Sequence, residues 1–154
     1  MSRLAVLIAT FLHVGRFPVA PGTAGSAAGL LLFAAVRAVG SPAAEIAAIA
    51  AVFVAGTWAA TEAERAFNRP DPGPVVIDEV LGMLVTLALI PVGLSGALIG
   101  FVLFRVFDVI KPWPASRLEE VPGGLGVMGD DLAAGIYANV ALRLIAWLAP
   151  GWVS

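Results

Sequence analysis

Long apolar runs alternate with short polar clusters along this chain, and the runs have helical length. Leu4 to Gly15 is the first, behind Met1, Ser2 and Arg3. It leads into Arg16, Phe17, Pro18 and Pro21-Gly22-Thr23 without a small-x-small cleavage pattern, so a short first helix, re-entrant or interfacial, is expected and not a signal peptide. A second helix is expected from near Ala24 to about Val39, where Gly40, Ser41 and Pro42 stop it; Arg37 near its end can snorkel to water. The third runs from Pro42 to Phe67, is uncharged from Ile46 to Thr61, and emerges at Glu62, Glu64 and Arg65. Asn68-Arg69-Pro70-Asp71-Pro72-Gly73-Pro74 is a loop, because its prolines cannot continue a helix.

Val80 through Phe104 carries no charge and is long enough to cross a bilayer once, yet Pro91, Gly93, Ser95 and Gly96 interrupt it. A helical hairpin is expected, Asp78 to Ile90 and Leu94 to Ile110; one kinked span is the alternative and would reverse the sidedness of everything after it. Pro112 and Pro114 end the second arm, with Trp113 between them suited to a membrane interface. Ser116 to Gly129 reads as a polar, glycine-rich loop. A last helix from Asp130 to about Leu148 closes on Pro150-Gly151, with Trp147 and Trp152 placed for the opposite interface.

Composition names the solvent. Of the 154 residues, 60% are hydrophobic and 13% charged, and mean hydropathy is +0.95, against about 45–50% and 25% in soluble domains. An all-α, polytopic membrane bundle of about five to six helices, some short or re-entrant, is therefore expected, as one membrane-embedded domain over residues 1–154. The net charge of −2 and the lack of a basic run exclude a nucleic-acid partner. Zero Cys excludes disulfides, thiolate metal sites and cysteine nucleophiles. Oligomeric state is not inferable.

Each crossing reverses the side of the next loop. If Pro21-Gly22-Thr23 lies on side A, then Phe67, Asp78-Glu79, the group Arg105, Asp108 and Lys111, and finally Asp130-Asp131 all return to A, while the hairpin turn near Pro91 lies on B. Arg16, Arg65, Arg69, Arg105, Lys111 and Arg117 fall on A, against Arg37, Arg143 and a third candidate, Arg3, on B. The positive-inside rule makes A cytoplasmic.

The acids that converge there carry the candidate chemistry. Asp78, Glu79, Asp108, Asp130 and Asp131, five of the eleven, would repel one another unless a cation joins them. Hard carboxylate oxygens without His or Cys select Mg²⁺, Mn²⁺ or Ca²⁺. The plain structural reading makes Asp78-Glu79 and Asp130-Asp131 dipole or N-cap carboxylates and pairs Arg105, Asp108 and Lys111 along one helix face. Asp108 resists it, because a helix C-terminus surrounded by Phe104, Val106, Phe107 and Val109 is a poor place for an anion. Pro21-Gly22-Thr23-Ala24-Gly25-Ser26 is either a Thr23 N-cap or an anion nest at a helix start, and Gly123-Gly124-Leu125-Gly126 offers a similar nest. The lone His13, in apolar company, reads as a packed residue. Asp-x-Asp-x-Thr and Asp-Gly…Ala-Arg signatures are missing, and a histidine phosphatase would need a second His. Metal-assisted chemistry on a phosphate, or a non-enzymatic divalent-cation-binding or transport protein, is what remains.

Four stretches together resemble the bacterial phosphatidylglycerophosphatase A family: Pro18-x-x-Pro21-Gly22-Thr23-x-Gly25-Ser26; Asp78-Glu79-x-x-Gly82-Met83; Phe104-Arg105-x-Phe107-Asp108-x-x-Lys111-Pro112-Trp113-Pro114; and Gly123-Gly124-x-Gly126-x-Met128-x-Asp130-Asp131-x-x-Ala134-Gly135. Before Pro18 the family's Gly-Ser-Gly-like run keeps only Gly15. The resemblance implies a Mg²⁺-dependent enzyme of the bacterial inner membrane that hydrolyses the terminal phosphomonoester of phosphatidylglycerophosphate to phosphatidylglycerol, its site facing the cytoplasm. A phosphatase for another lipid phosphate is the enzymatic alternative. Read together with the resemblance, Asp78, Glu79, Asp108, Asp130 and Asp131 are expected to hold the metal and, with Lys111, to be catalytic; Gly22, Thr23, Ser26, Arg105 and Lys111 are expected to bind phosphate. The nucleophile stays open between an activated water, the preferred reading, and a carboxylate forming an aspartyl-phosphate.

Overall fold

In the computed structural model, which describes residues 3–154, seven α-helices form and no strand does. They are α1 (Arg3–Ala9), α2 (Pro21–Arg37), α3 (Pro42–Phe67), α4 (Ile77–Leu87), α5 (Leu94–Ile110), α6 (Ala115–Leu118) and α7 (Gly124–Leu148), with 3₁₀ turns at Val14–Arg16 and Pro150–Trp152. Pro21 and Pro42 open α2 and α3, where the missing N–H would have had no helical partner. Asn68 and Lys111 end α3 and α5 in the left-handed conformation, with φ of 51° and 47°.

The shortest of the central helices organises the rest. α4 has 11 residues, so it is about 16 Å long, roughly half the thickness of a hydrocarbon core. Every one of its residues except Glu79 is buried, and it packs against α2, α3, α5 and α7. Small residues permit this: a Cβ on Gly29 of α2 would meet the backbone of Val80 and Cβ of Met83, and one on Gly135 of α7 would meet the carbonyl of Gly82.

A helix that stops inside a bundle leaves carbonyls that need donors. Asn139 Nδ2 donates to Val85 O, Thr86 O and Ala88 O at 3.0, 3.0 and 3.1 Å, and Arg143 Nη2 to Ala88 O and Leu89 O. Arg37 Nη1 donates to Ile90 O at 2.9 Å, while Glu45, ion-paired to Arg37 at 2.6 Å, accepts from the Leu89 N–H at 2.9 Å. Arg37 thus points inward and caps the turn after α4 where snorkelling is expected. These contacts gather Arg37, Glu45, the 88–93 turn and Arg143 at one end of the bundle. The acids of α4, α5 and α7 meet at the other, so α4 and α5 form a hairpin and not one kinked span.

Two helices, α3 and α7, are long and apolar enough to cross a membrane. Leu31, Val54, Leu98, Val102, Val140 and Leu144 point outward and are each more than half exposed.

Four local expectations need correction. The first helix ends at Ala9, and Phe11, Leu12 and His13 follow in left-handed backbone. His13 is exposed, not packed. The second helix begins at Pro21, with Ala20 as its N-cap, so Thr23 lies inside the first turn. The final helix begins at Gly124 rather than Asp130, because the glycines of this run lie against other backbone: Gly124 N–H donates to Thr61 Oγ1 at 2.9 Å and its Cα faces the Thr57 carbonyl. Packing selects a helix that glycine propensity disfavours. The same contact occupies the second expected anion nest.

Candidate active site

The site forms where the first turn of α4 meets the second turn of α7 and the last turn of α5. Val76 N–H donates to Ala9 O at 2.9 Å, which fixes the chain as it enters α4. Asp78 and Glu79 follow in the first turn, Asp78 only 8% exposed. Asp130 and Asp131 sit well inside α7, buried, with Asp131 2% exposed. A carboxylate oxygen from each of Asp78, Glu79 and Asp131 lies within 4.8 Å of the others. Asp78 Oδ1, Glu79 Oε2 and Asp131 Oδ2 are buried without a hydrogen-bond partner. Two buried acids and a half-buried one, each with an unpartnered buried oxygen, are costly at this spacing, and their hard oxygens fit a hard divalent cation.

The other two acids have partners of their own. Arg105 Nη1 binds Asp108 Oδ2 at 2.5 Å, and Lys111 Nζ binds Asp130 Oδ2 at 2.6 Å and Glu119 Oε1 at 3.2 Å. Helical spacing places Lys111 beside Asp108, but the left-handed turn at Lys111 carries its side chain to α7 instead. Burial works against the Lys111 ammonium, yet the hydrogen bonds and charge of Asp130 and Glu119 outweigh it and hold its pKa above the ordinary lysine value. Asp108 itself faces both Glu79 and Asp131.

Gly22 of α2 closes the cluster from the side. A Cβ there would run into Glu79 Oε1 and lie 3.2 Å from Arg105 Nη1. Thr23 is exposed beside it, whereas Ser26 is fully buried and donates its hydroxyl to Gly22 O at 2.9 Å. Of the expected phosphate ligands, Gly22, Thr23, Arg105 and Lys111 lie at the acid end with free surface or charge. Ser26 spends its hydroxyl on the helix.

A cleft of about 500 Å³ opens from the polar end onto Asp130, between the end of α3 and the 119–123 segment, with Arg69 and Asp71 in its wall. Asp71 is a residue that loop composition hides: it holds left-handed backbone at φ 39°, its N–H donates to Glu64 Oε1 at 3.1 Å, and its charge reaches Lys111 and Asp130. Its position between Pro70 and Pro72 is the signal that could have found it. Tyr137 is a second such residue. It stands two turns past Asp130, its ring edge-on to Phe107 with centroids 5.8 Å apart and its buried hydroxyl unpartnered.

The chain matches a known family over most of its length: the model of phosphatidylglycerophosphatase A aligns with residues 7–146. The chain belongs to that family. It is 35% identical to a Bacteroides thetaiotaomicron protein provisionally named a phosphatidylinositol-3-phosphatase, over 96% of each chain. It is 32% identical to phosphatidylglycerophosphatase A of Haemophilus influenzae, over 92% of this chain and 88% of that one, and 30% identical to the Escherichia coli protein of the same name, over 94% and 85%. No solved structure matches it. As a member of the phosphatidylglycerophosphatase A family the chain is a phosphatase, and all four acidic and glycine-rich stretches of the site lie inside the matched region.

Proposed function

We propose that this protein hydrolyses the terminal phosphomonoester of phosphatidylglycerophosphate, releasing phosphatidylglycerol and phosphate, as a polytopic protein of the bacterial inner membrane. The observation that carries the reading is the convergence of three carboxylates, each with an unpartnered buried oxygen, with two ion-paired cations at one end of an apolar bundle. The outward-facing Leu and Val side chains of α2, α3, α5 and α7 support membrane embedding, and the basic residues at the acid end support a cytoplasmic site.

Asp78, Glu79 and Asp131 would hold Mg²⁺. Bound there, the ion supplies Lewis acidity and charge neutralisation at the phosphoryl group. Arg105, held by Asp108, and Lys111, held by Asp130, would oppose charge on the phosphoryl oxygens. Gly22 keeps the α2 side of the cluster free of a side chain, so a phosphate can approach Glu79 and Arg105. In the reaction the ester P–O bond breaks, oxygen from the nucleophile bonds phosphorus, and the leaving glycerol oxygen takes a proton.

A second reading, a different lipid phosphate as substrate, is favoured by the relative at 35% identity, named for a phosphoinositide. Purified protein assayed on phosphatidylglycerophosphate, phosphatidylinositol 3-phosphate and phosphatidic acid separates the two. The highest kcat/KM is expected on phosphatidylglycerophosphate; a preference for the phosphoinositide would transfer the assignment. No release from any of them would refute the proposed substrate class.

A further inference from the structure

The outer face of α5 carries a largely exposed apolar strip with a site residue at its middle. Phe101, Val102, Arg105, Val106, Val109 and Ile110 line a shallow groove of about 390 Å³. Their spacing, pairs repeated every four residues, places them on one face. The opposite side of the helix is occupied: Phe104 packs on Gly82, Gly100 on Leu87 and Leu142, and Phe107 on Tyr137. Val102, Val109 and Ile110 are 60%, 74% and 67% exposed.

Arg105 is the one polar residue in the strip, and its guanidinium turns into the acid cluster, bonded to Asp108 and close to Gly22. Gly22 has no side chain, and the atoms nearest to where one would stand are the heads of Glu79 and Arg105. The stretch of the groove from Phe101 and Val102 leads along α5 to the Arg105 guanidinium at the edge of the phosphate site, the order of hydrocarbon and phosphate in a lipid phosphate. Resting on the lipid-phosphatase reading, we propose that an acyl chain of the substrate lies along this face of α5 and that its phosphate enters sideways between α2 and α5, past Arg105 and Gly22. Another apolar groove, about 370 Å³ between α1 and α3, is lined by Leu7, Phe11, Val52 and Ala55 among others, and has no charged residue in its wall. It is the internal control.

The test is photolabelling of the Asp131→Asn variant in vesicles containing phosphatidylglycerophosphate with a diazirine midway along one acyl chain. Label is expected on the α5 peptide, reduced by unlabelled phosphatidylglycerophosphate and not by phosphatidylcholine. Label concentrated on α1 and α3, label spread evenly over all outward faces, or α5-to-α5 links between two copies would each overturn the proposal. Kinetics give a second reading. Val102→Trp should raise KM for a long-chain substrate about three- to fivefold at unchanged kcat, a modest effect because the groove supplies packing and not transfer out of water. It should leave hydrolysis of the deacylated, water-soluble headgroup unchanged, and Ala55→Trp should change neither. Equal KM for wild type and Val102→Trp would also overturn it. Failure of the wild type to release phosphate from any lipid would instead refute the functional reading, and the labelling pattern stays interpretable in that event.

Discussion

Replacing Asp131 by Asn tests the acid cluster through stability as well as turnover. Asp131 is one of three carboxylates within 4.8 Å of one another, so losing its charge removes two of the three repulsive pairs. At 4.8 Å each fully ionised pair costs about 3.5 kcal/mol at an effective dielectric of about 20, so two pairs come to about 7 kcal/mol, an amount that protonation of the acids in metal-free protein reduces. With the ion bound the sign reverses, because a ligand is lost. Wild type at Mg²⁺ a hundred times its Kd should gain about 2.7 kcal/mol, or a Tm rise of roughly 5–10 °C. Melting both proteins in detergent with EDTA and with Mg²⁺ should therefore give crossing curves. Asp131→Asn is expected to be the more stable in EDTA, the less stable in Mg²⁺, and nearly unresponsive to the ion, with kcat down about 10²- to 10³-fold. A variant that melts below wild type by the same amount in both buffers would refute the reasoning, since the acid would then be an ordinary structural partner.

Lys111→Met strands the buried Asp130 and removes a cation from the site, so kcat/KM is expected to fall about 10²- to 10³-fold, with partial recovery in Lys111→Arg measured by phosphate release. Gly22→Ala should abolish most activity while the fold survives, because its Cβ would occupy the space of Glu79 Oε1; Gly73→Ala, with nothing within 4 Å, should be silent in the same assay. Asn139→Leu withdraws the donor from three carbonyls at the end of α4 and should cost about 2–4 kcal/mol in denaturation, leaving the activity of the folded fraction unchanged.

Where a strong local signal and the packing agree, the chain is legible in advance. Pro42 at one end and the charges before Phe67 at the other bound α3 as expected, and Pro91 with Gly93 marks the hairpin turn. The glycine-rich run before Asp130 misleads because its helix is imposed by contact with Thr57 and Thr61 of α3, which no local pattern contains. The partition of the acids is hidden for a related reason. Five acids share one end by crossing parity, but only the left-handed turn at Lys111 decides that Asp130 has an ammonium and Asp131 has none. The caps on α4 are equally invisible, since Arg37, Asn139 and Arg143 reach it from two other helices.

If a divalent cation held by Asp78, Glu79 and Asp131 supports hydrolysis of a lipid phosphomonoester, turnover must follow the ion. Phosphate release from phosphatidylglycerophosphate by the purified protein, followed as Mg²⁺ is added back after EDTA, tests it most directly. No turnover is expected in EDTA, recovery with Mg²⁺, and no recovery in Asp78→Asn or Asp131→Asn; turnover that persists in EDTA would show that the acids do not act through a metal.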